Sequence, residues 1–104
     1  MAGGADYAGK PRPVVIVHDE RFSGFPSATF VAFTSDLTDL PLTRLLVQPD
    51  SENGLLKSSH LMVDKISTAP KEKLGKKIGI LSEDDINRLN RTLLIYLGLA
   101  GETR

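Results

Sequence analysis

The feature that most constrains this chain is an unbroken run of β-branched residues, Val-Val-Ile-Val, at positions 14–17. Such side chains favour extended backbone, and a short apolar run without polar interruption is typical of a buried strand. Pro11 and Pro13 precede the run, and each proline holds the residue before it in an extended conformation. The sequence therefore predicts a core strand that the chain enters through a stiff segment carrying Lys10 and Arg12.

Short apolar segments alternate with polar turns in the first eighty or so residues, which predicts a small, mainly β fold. No internal repeat or low-complexity segment interrupts the pattern. Further strands are expected at 28–34, 44–47, 60–63, 65–68 and 77–81, loops or turns at 2–10, 18–27, 35–41 and 49–54, and one helical turn at 70–74.

One long helix is predicted to begin after Ser82. That serine and Asp85 approximate a capping box, and the acidic residues that follow Ser82 suit the positive end of a helix dipole. Gly98 suits the left-handed position just past the helix end. An apolar stripe at helical spacing is formed by Ile86, Leu89, Leu93 and Leu97. We therefore expect a curled sheet capped by one helix, in a single domain over residues 1–104.

Composition argues against several classes of function. Thirteen Lys and Arg balance thirteen Asp and Glu, so the chain lacks the basic surplus of a protein that wraps duplex nucleic acid. It has no cysteine, which excludes disulfides and thiolate metal sites. The apolar run 93–97 is too short to span a bilayer, and the first residues lack a signal-peptide pattern. We expect a cytoplasmic protein with no membrane partner, whose near-zero net charge favours self-association.

Two residues from different strands carry the candidate chemistry. If the first two strands form a hairpin, Val14 faces Ala32, and two residues further out Arg12 faces Thr34. Opposed side chains share a face, with Cβ atoms about 5 Å apart. Alone, each has an ordinary explanation, as a surface arginine in a proline-rich turn and a strand-ending threonine bonded to nearby backbone. Together they place a phosphate-matching guanidinium beside a hydroxyl at the open end of the sheet.

Other reactive side chains give weaker signals. His18 and His60 could form an acid–base pair, but His18 lies at the far end of its strand from Arg12. We interpret both histidines as surface or half-buried residues. Metal-ligand spacing and a glycine-rich phosphate-binding motif are both missing, so no metal or other cofactor is expected. The lysines within 71–77 are interpreted as a solvated face.

Five segments, in order, resemble those of the MazF/PemK toxins. Residues 9–17 resemble the family's glycine-x-arginine-proline-valine segment, and residues 32–34 resemble the strand that ends in its catalytic threonine. The similarity begins at about Gly3 and covers nearly the whole chain. The remaining segments are a turn at 53–55, a strand at 63–68, and a closing strand with a C-terminal helix at 74–98.

This resemblance implies a small SH3-like β-barrel with a C-terminal α-helix, a fold shared with the CcdB-type gyrase poisons. It implies a toxin of a type II toxin–antitoxin system that cuts single-stranded RNA within a preferred sequence. Cleavage would need no metal, because the 2′-hydroxyl of the RNA attacks the adjacent phosphate. The implied partners are RNA, a second copy of the chain, and the acidic C-terminal segment of an antitoxin, while the toxin itself does not bind DNA.

By the same resemblance, Arg12 and Thr34 are the expected catalytic residues. Arg12 stabilises the charged phosphorane or acts as an acid, and Thr34 orients the phosphate. Residues beside these two are expected to contact RNA, namely Gly9, Lys10, Ser35 and Asp36.

The chain departs from the family pattern at its start, because family members usually have a strand of Gly-Asp-Ile-Trp type just before the segment that here reads Ala2-Gly3-Gly4. We expect that strand to be absent or truncated here. Lys65 and Ser67 replace the family's usual Gln and Arg, which we expect to alter substrate preference. Two alternatives stay open, a CcdB-like protein that binds a gyrase and cuts nothing, and an inactive paralogue that only binds an antitoxin. The pairing of Arg12 with Thr34 argues against the first.

Overall fold

The computed structural model describes residues 2–7 and 10–101, with side chains from residue 12 onward. Within these ranges the chain forms six strands and one α-helix, with short 3-10 turns between some of them. The elements are β1 (Ala2–Tyr7), β2 (Lys10–Ile16), β3 (Ser27–Thr34), β4 (Arg44–Val47), β5 (Ser59–Met62), β6 (Ser67–Pro70) and α1 (Glu83–Tyr96).

β3 is the centre of an antiparallel sheet. The strands are ordered β1-β2-β3-β5-β4, and β6 also pairs with β3. β2 lies along one edge of β3, because Phe30 has Ile16 on one side and Ser67 of β6 on the other. β5 and β6 therefore follow one another along the second edge.

A 3-10 turn, Val63–Lys65, separates β5 from β6. Leu61 lies opposite Phe33 and Ser67 lies opposite Phe30. The chain thus advances six residues while β3 advances three, and the turn takes up the difference. This irregularity bends the sheet and lets β5 leave β3 to pair with β4.

Both faces of β3 are buried. On one face, Val31 and Phe33 pack in a cluster that includes Leu61 of β5 and Leu89 of α1. On the other face, Phe30 and Ala32 pack in a smaller cluster with Val14 and Met62. The β-branched run of β2 supplies Val15 to the first cluster and Val14 to the second, which explains why it is apolar without interruption.

The predicted helix is confirmed at both ends. The Ser82 side chain accepts a hydrogen bond from the Asp85 N–H at 3.1 Å, and Gly98 has φ 72° just past the helix. Only part of the predicted apolar stripe is buried. Leu89 is covered and Leu93 packs against the core, whereas Ile86 and Leu97 are each 40% exposed. α1 therefore attaches to the sheet mainly through its middle turns.

Three expectations from the sequence are corrected. Residues 2–7, expected to form a loop, form β1, which pairs with β2. Residues 77–81, expected to be a strand, have no regular structure. β1 and β4 end the strand order without pairing to each other among the described residues, so the mainly β class is confirmed but a closed barrel is not formed. The absence or truncation of the family's usual first strand stays a prediction.

Residues 77–81 nevertheless pack against the turn that contains Glu52 and Asn53. The Ile80 N–H donates to the Glu52 carbonyl oxygen at 2.8 Å. At this contact two glycines allow the backbones to meet. Gly54 has φ +73°, and a Cβ built at Gly79 would lie 2.4 Å from the Glu52 oxygen. An irregular segment thus replaces the predicted strand because it packs against a turn rather than against a strand edge.

We expect Gly79→Ala to lower the free energy of unfolding by about 1–3 kcal/mol, since the added methyl meets backbone atoms that have little room to move. Urea denaturation measures this change. Gly24→Ala is the matched control, because a Cβ there meets nothing within 4 Å. Equal stability of the two variants would contradict the proposed close contact.

Candidate active site

The register between β2 and β3 matches the predicted one. Val14 lies opposite Ala32, and Val15 lies opposite Val31. Carried two residues outward, this register brings Arg12 beside Thr34, and both residues line one pocket at that end of the sheet. The guanidinium and the hydroxyl that the sequence singled out therefore share one site.

The pocket has a volume of about 570 Å³. Its described lining contains two cationic side chains and three hydroxyls on a largely apolar wall, and no carboxylate. The lining residues are Arg12, Pro13, Phe33, Thr34, Ser35, Gly54, Leu55, Leu56, Lys57, Ser59 and Ile78. Such a site favours an anion with several hydrogen-bond acceptors, because nearby apolar walls strengthen each polar contact.

Arg12 is held on a strand and not on a free loop. It lies in β2 between two prolines, and its partner across the β1–β2 pair is Ala5. Both features restrict the backbone that carries the guanidinium. A positioned arginine offers a planar fork of N–H donors, which suits two oxygens of a phosphate.

Thr34 is the last residue of β3, and its side chain is partly exposed. Its Oγ1 accepts a hydrogen bond from the Asp36 backbone N–H at 3.1 Å. This is the local bond expected of an ordinary strand-ending threonine. The bond also orients the Thr34 hydroxyl. Its oxygen accepts the Asp36 N–H, and its own hydrogen can still be donated to another group.

The four predicted RNA contacts fall in different places. Ser35 lines the pocket. Asp36 does not, and its carboxylate accepts from the Thr38 hydroxyl at 2.7 Å and from the Thr38 N–H at 3.0 Å. Gly9 lies outside the described residues, and Lys10 opposes Tyr7 in the β1–β2 pair.

Hydrogen bonds shape the loop after β3 as well as Thr34. The Thr38 hydroxyl, followed by the Thr38 N–H, lowers the pKa of Asp36, with smaller contributions from Arg44 and His60. Because the folded pKa is depressed, this carboxylate favours the folded loop above its ordinary pKa. That contribution is lost as the pH falls through the lowered value. At neutral pH the ionised Asp36 carboxylate therefore helps to hold the loop through its hydrogen bonds with Thr38.

Residues 54–57 form the opposite wall, and Asn53 fixes their position. The Asn53 side chain is fully buried. Its Nδ2 donates to the Gln48 carbonyl at 2.8 Å, and its Oδ1 accepts from the Leu55 N–H at 3.0 Å. The wall carries Lys57 toward the pocket and leaves Leu56 98% exposed beside it.

The lining residues that were not identified from the sequence include Leu56, Lys57 and Ser59. A lysine and serines after an Asn-Gly turn were the available signal, but nothing local places them opposite Arg12. The predicted basic run contributes no lining residue, and the Lys71 ammonium donates to the Ser23 carbonyl.

The two histidines differ in their surroundings. His18 is half-buried, as expected. His60 was expected to be exposed or half-buried, but it is only 7% exposed and lies opposite Thr34 in the β3–β5 pair. Its position in β5, between two core-forming neighbours, accounts for the difference.

The described residues include no cluster of three or more His, Cys, Asp or Glu that could hold a metal ion. In the same part of the chain, no helix has the length and apolar character needed to cross a membrane.

We expect Asn53→Ala to lower the free energy of unfolding by about 2 kcal/mol or more, because it removes three buried side-chain hydrogen bonds and leaves their backbone partners unpaired. Thermal and urea unfolding measure the loss. Asn90→Ala, on the exposed side of α1, is the control and is expected to change stability by less than about 0.5 kcal/mol. A similar effect in both variants would contradict the role given to Asn53.

Comparison with known proteins gives consistent matches. A family model described as the PemK-like, MazF-like toxin of type II toxin–antitoxin systems matches residues 2–97. A relative from Mycolicibacterium smegmatis, named "Probable endoribonuclease MazF", is 46% identical over 95 residues, which are 91% of this chain and 87% of the relative.

Solved structures extend the likeness to the fold. The Mycobacterium tuberculosis toxin MazF-mt6 has a TM-score of 0.79 at 26% identity, with 95% of this chain and 98% of that chain covered. A mycobacterial endoribonuclease in complex with its cognate antitoxin has a TM-score of 0.80 at 22% identity, with 94% and 91% covered. At that identity the second likeness concerns the fold alone.

Proposed function

The chain belongs to the PemK-like, MazF-like toxin family of type II toxin–antitoxin systems, and from this premise we propose that it is a metal-independent endoribonuclease that cuts single-stranded RNA at a preferred sequence. The observation that carries the proposal is the pocket in which Arg12, Thr34 and Lys57 meet. The name of the 46% identical relative also supports it.

The proposed reaction uses the nucleophile that RNA itself carries. The 2′-oxygen forms a bond to the adjacent phosphorus and loses its proton, and the bond from phosphorus to the 5′-oxygen breaks as that oxygen gains a proton. The products are a 2′,3′-cyclic phosphate and a 5′-hydroxyl. DNA is excluded as a substrate because it lacks the attacking hydroxyl.

Arg12 and Thr34 are the proposed catalytic residues. The Arg12 guanidinium stabilises the extra negative charge on the phosphorane, which a positioned cation does best in a water-poor pocket. The Thr34 hydroxyl donates to a non-bridging phosphate oxygen and orients it. Lys57 adds positive charge from the opposite wall.

RNA on either side of the cut is proposed to contact Gly9, Lys10, Ser35 and Asp36. Ser35 has the strongest support, since it lines the pocket beside Thr34. Asp36 acts through its backbone N–H on Thr34, because its carboxylate is already bonded to Thr38. Unstacked bases would rest on exposed apolar surface such as Leu56.

Partners and location follow from the family. We propose a homodimer of single-domain chains of residues 1–104 in the cytoplasm, inhibited by the acidic C-terminal segment of an antitoxin. Apolar residues exposed on the last turns of α1, such as Ile95 and Tyr96, are consistent with self-association. The acidic segment suits the same cationic pocket that would hold RNA phosphate.

We expect Arg12→Ala to reduce kcat for single-stranded RNA about 100-fold to 1000-fold, because the charge formed at phosphorus loses its nearest cation. Cleavage is measured with a short end-labelled RNA in the presence of EDTA, and the cyclic phosphate is identified by mass spectrometry. Arg91→Ala, on the exposed surface of α1, serves as the control.

The same assay separates the competing functions. Wild-type protein that is folded but leaves RNA intact would exclude the enzyme. Gyrase inhibition by that protein would then favour the CcdB-like alternative, and binding to an acidic antitoxin peptide alone would favour the inactive paralogue. Undiminished cleavage by Arg12→Ala would show that the reaction takes place at another site.

We expect Thr34→Val to lower kcat about tenfold to 100-fold, because it keeps the shape of the side chain and removes its hydroxyl. Thr34→Ser, which retains a hydroxyl, should stay within a few-fold of wild type in the same single-turnover measurement. If the serine variant is as slow as the valine variant, the methyl group and not the hydroxyl matters, and the proposed contact with phosphate is wrong.

A further inference from the structure

The geometry points to a third residue in the proposed reaction: we infer that His60 is a positioning residue, whose ring Nδ1–H donates a hydrogen bond to the Thr34 hydroxyl oxygen when RNA is bound and so leaves the Thr34 hydroxyl hydrogen for the phosphate. This inference rests on the proposed function, since it concerns the same threonine.

Thr34 lies opposite His60 in the β3–β5 pair, and His60 lies opposite Leu46 in the β4–β5 pair. The β2–β3 register adds Arg12 on the other side of Thr34. Opposed residues in antiparallel strands point to the same face, with Cβ atoms about 5 Å apart. Thr34 therefore stands between a guanidinium and an imidazole.

The His60 ring is buried yet incompletely satisfied. The residue is 7% exposed, and among the described residues no hydrogen bond reaches its Nδ1, which is itself buried. A buried polar atom without a partner is costly, so structures retain few of them without a functional reason. The position of such an atom one strand away from Thr34 is the observation to be explained.

Of the two residues directly opposite His60, Thr34 is the polar one, since the other is Leu46. Met62, two residues along β5 on the same face, is also apolar. The charged groups nearby include Asp36, whose carboxylate interacts electrostatically with both His60 and Arg44. Asp36 accepts from the Thr38 hydroxyl and N–H through Oδ1.

Arg44, the remaining cation on this side, is also engaged. Its Nε lies 3.2 Å from Asp64 Oδ1 in a largely buried ion pair, although the two atoms are not aligned as a hydrogen bond. The Tyr96 hydroxyl donates to the Asp64 carbonyl, so the last residue of α1 contacts the same aspartate. Arg44 Nη2 also donates to Asp64 Oδ2 at 3.5 Å, so these two side chains are turned toward each other.

The hydrogen-bond capacity of Thr34 fits the inference. A hydroxyl oxygen has two lone pairs and one hydrogen. The Asp36 N–H occupies one lone pair at 3.1 Å. An Nδ1–H of His60 that donates to the second lone pair leaves the hydroxyl hydrogen to the phosphate. The hydrogen bond from His60 should thus favour cleavage by orienting Thr34.

The test compares kcat of wild type and His60 variants in single-turnover cleavage at one pH near neutrality. His60→Phe has no donor, and we expect it to be about tenfold slower than wild type. His60→Asn retains a side-chain N–H donor, so its kcat should lie closer to that of wild type than to that of the phenylalanine variant.

His18→Gln is the matched control, because His18 and His60 are the two histidines of the chain. Its kcat should stay within about twofold of wild type. A wild-type rate in His60→Phe, an equal loss in His60→Asn and His60→Phe, or an equal loss in the His18 variant would overturn the inference. Thermal unfolding checks that the buried substitutions fold, and the His60 resonance of the wild-type protein carries the test if the phenylalanine variant does not fold.

A second readout separates this inference from the proposed function. Binding of an uncleavable RNA, with a 2′-deoxy sugar at the scissile position, should shift the ¹⁵N resonance of His60 Nδ1 in wild type and not in Thr34→Val. An unchanged resonance despite binding would refute the link to Thr34. Failure of the proposed function would instead show as no cleavage by wild type, or as full cleavage by Arg12→Ala.

Discussion

The antiparallel register between β2 and β3 is the constraint on which the rest of the site depends. A slip of one residue would turn every side chain of β2 to the opposite face and separate Arg12 from Thr34. The core prevents that slip, because Val14 and Val15 pack in different clusters on the two faces of the sheet. The residues that fix the geometry of the candidate site are therefore the buried valines of β2.

The second wall of the pocket is fixed by different means. Residues 54–57 have no strand partner, and the buried side chain of Asn53 replaces the missing ladder bonds. The close contact between Gly79 and the Glu52–Asn53 backbone also restrains this wall. A pocket with both walls fixed before substrate arrives can direct its donors at developing charge without reorganising them.

The sequence predicted those features that depend on neighbours along the chain. The β-branched run, the Ser82 cap, Gly98 and the Val14–Ala32 register are local, and all are confirmed. The predicted endoribonuclease toxin family is confirmed by the family match and the 46% identical relative. The roles of Arg12 and Thr34 stay predictions, although their meeting in one pocket agrees with them.

What the sequence did not predict depends on contacts between distant segments. β1 is rich in alanine and glycine, which have little preference for strands, and it is extended because it pairs with the edge of β2. Residues 77–81 alternate as a strand would but meet a turn. Lys57 lines the pocket from the segment before β5, and His60 lies opposite Thr34 in β5. No local pattern indicates which strand lies next to Thr34.

The balance of charge shows how a neutral chain can still select an anion. The whole sequence carries no net charge, so long-range attraction to nucleic acid is weak. The pocket instead concentrates Arg12 and Lys57 where no described lining residue is acidic, and the nearby Asp36 is turned to Thr38. In the proposed function, selection would be made at contact distance, by one phosphate and the sugar hydroxyl beside it. A short unpaired segment of RNA could present both to such a pocket, whereas a regular duplex keeps its bases stacked and its backbone less deformable.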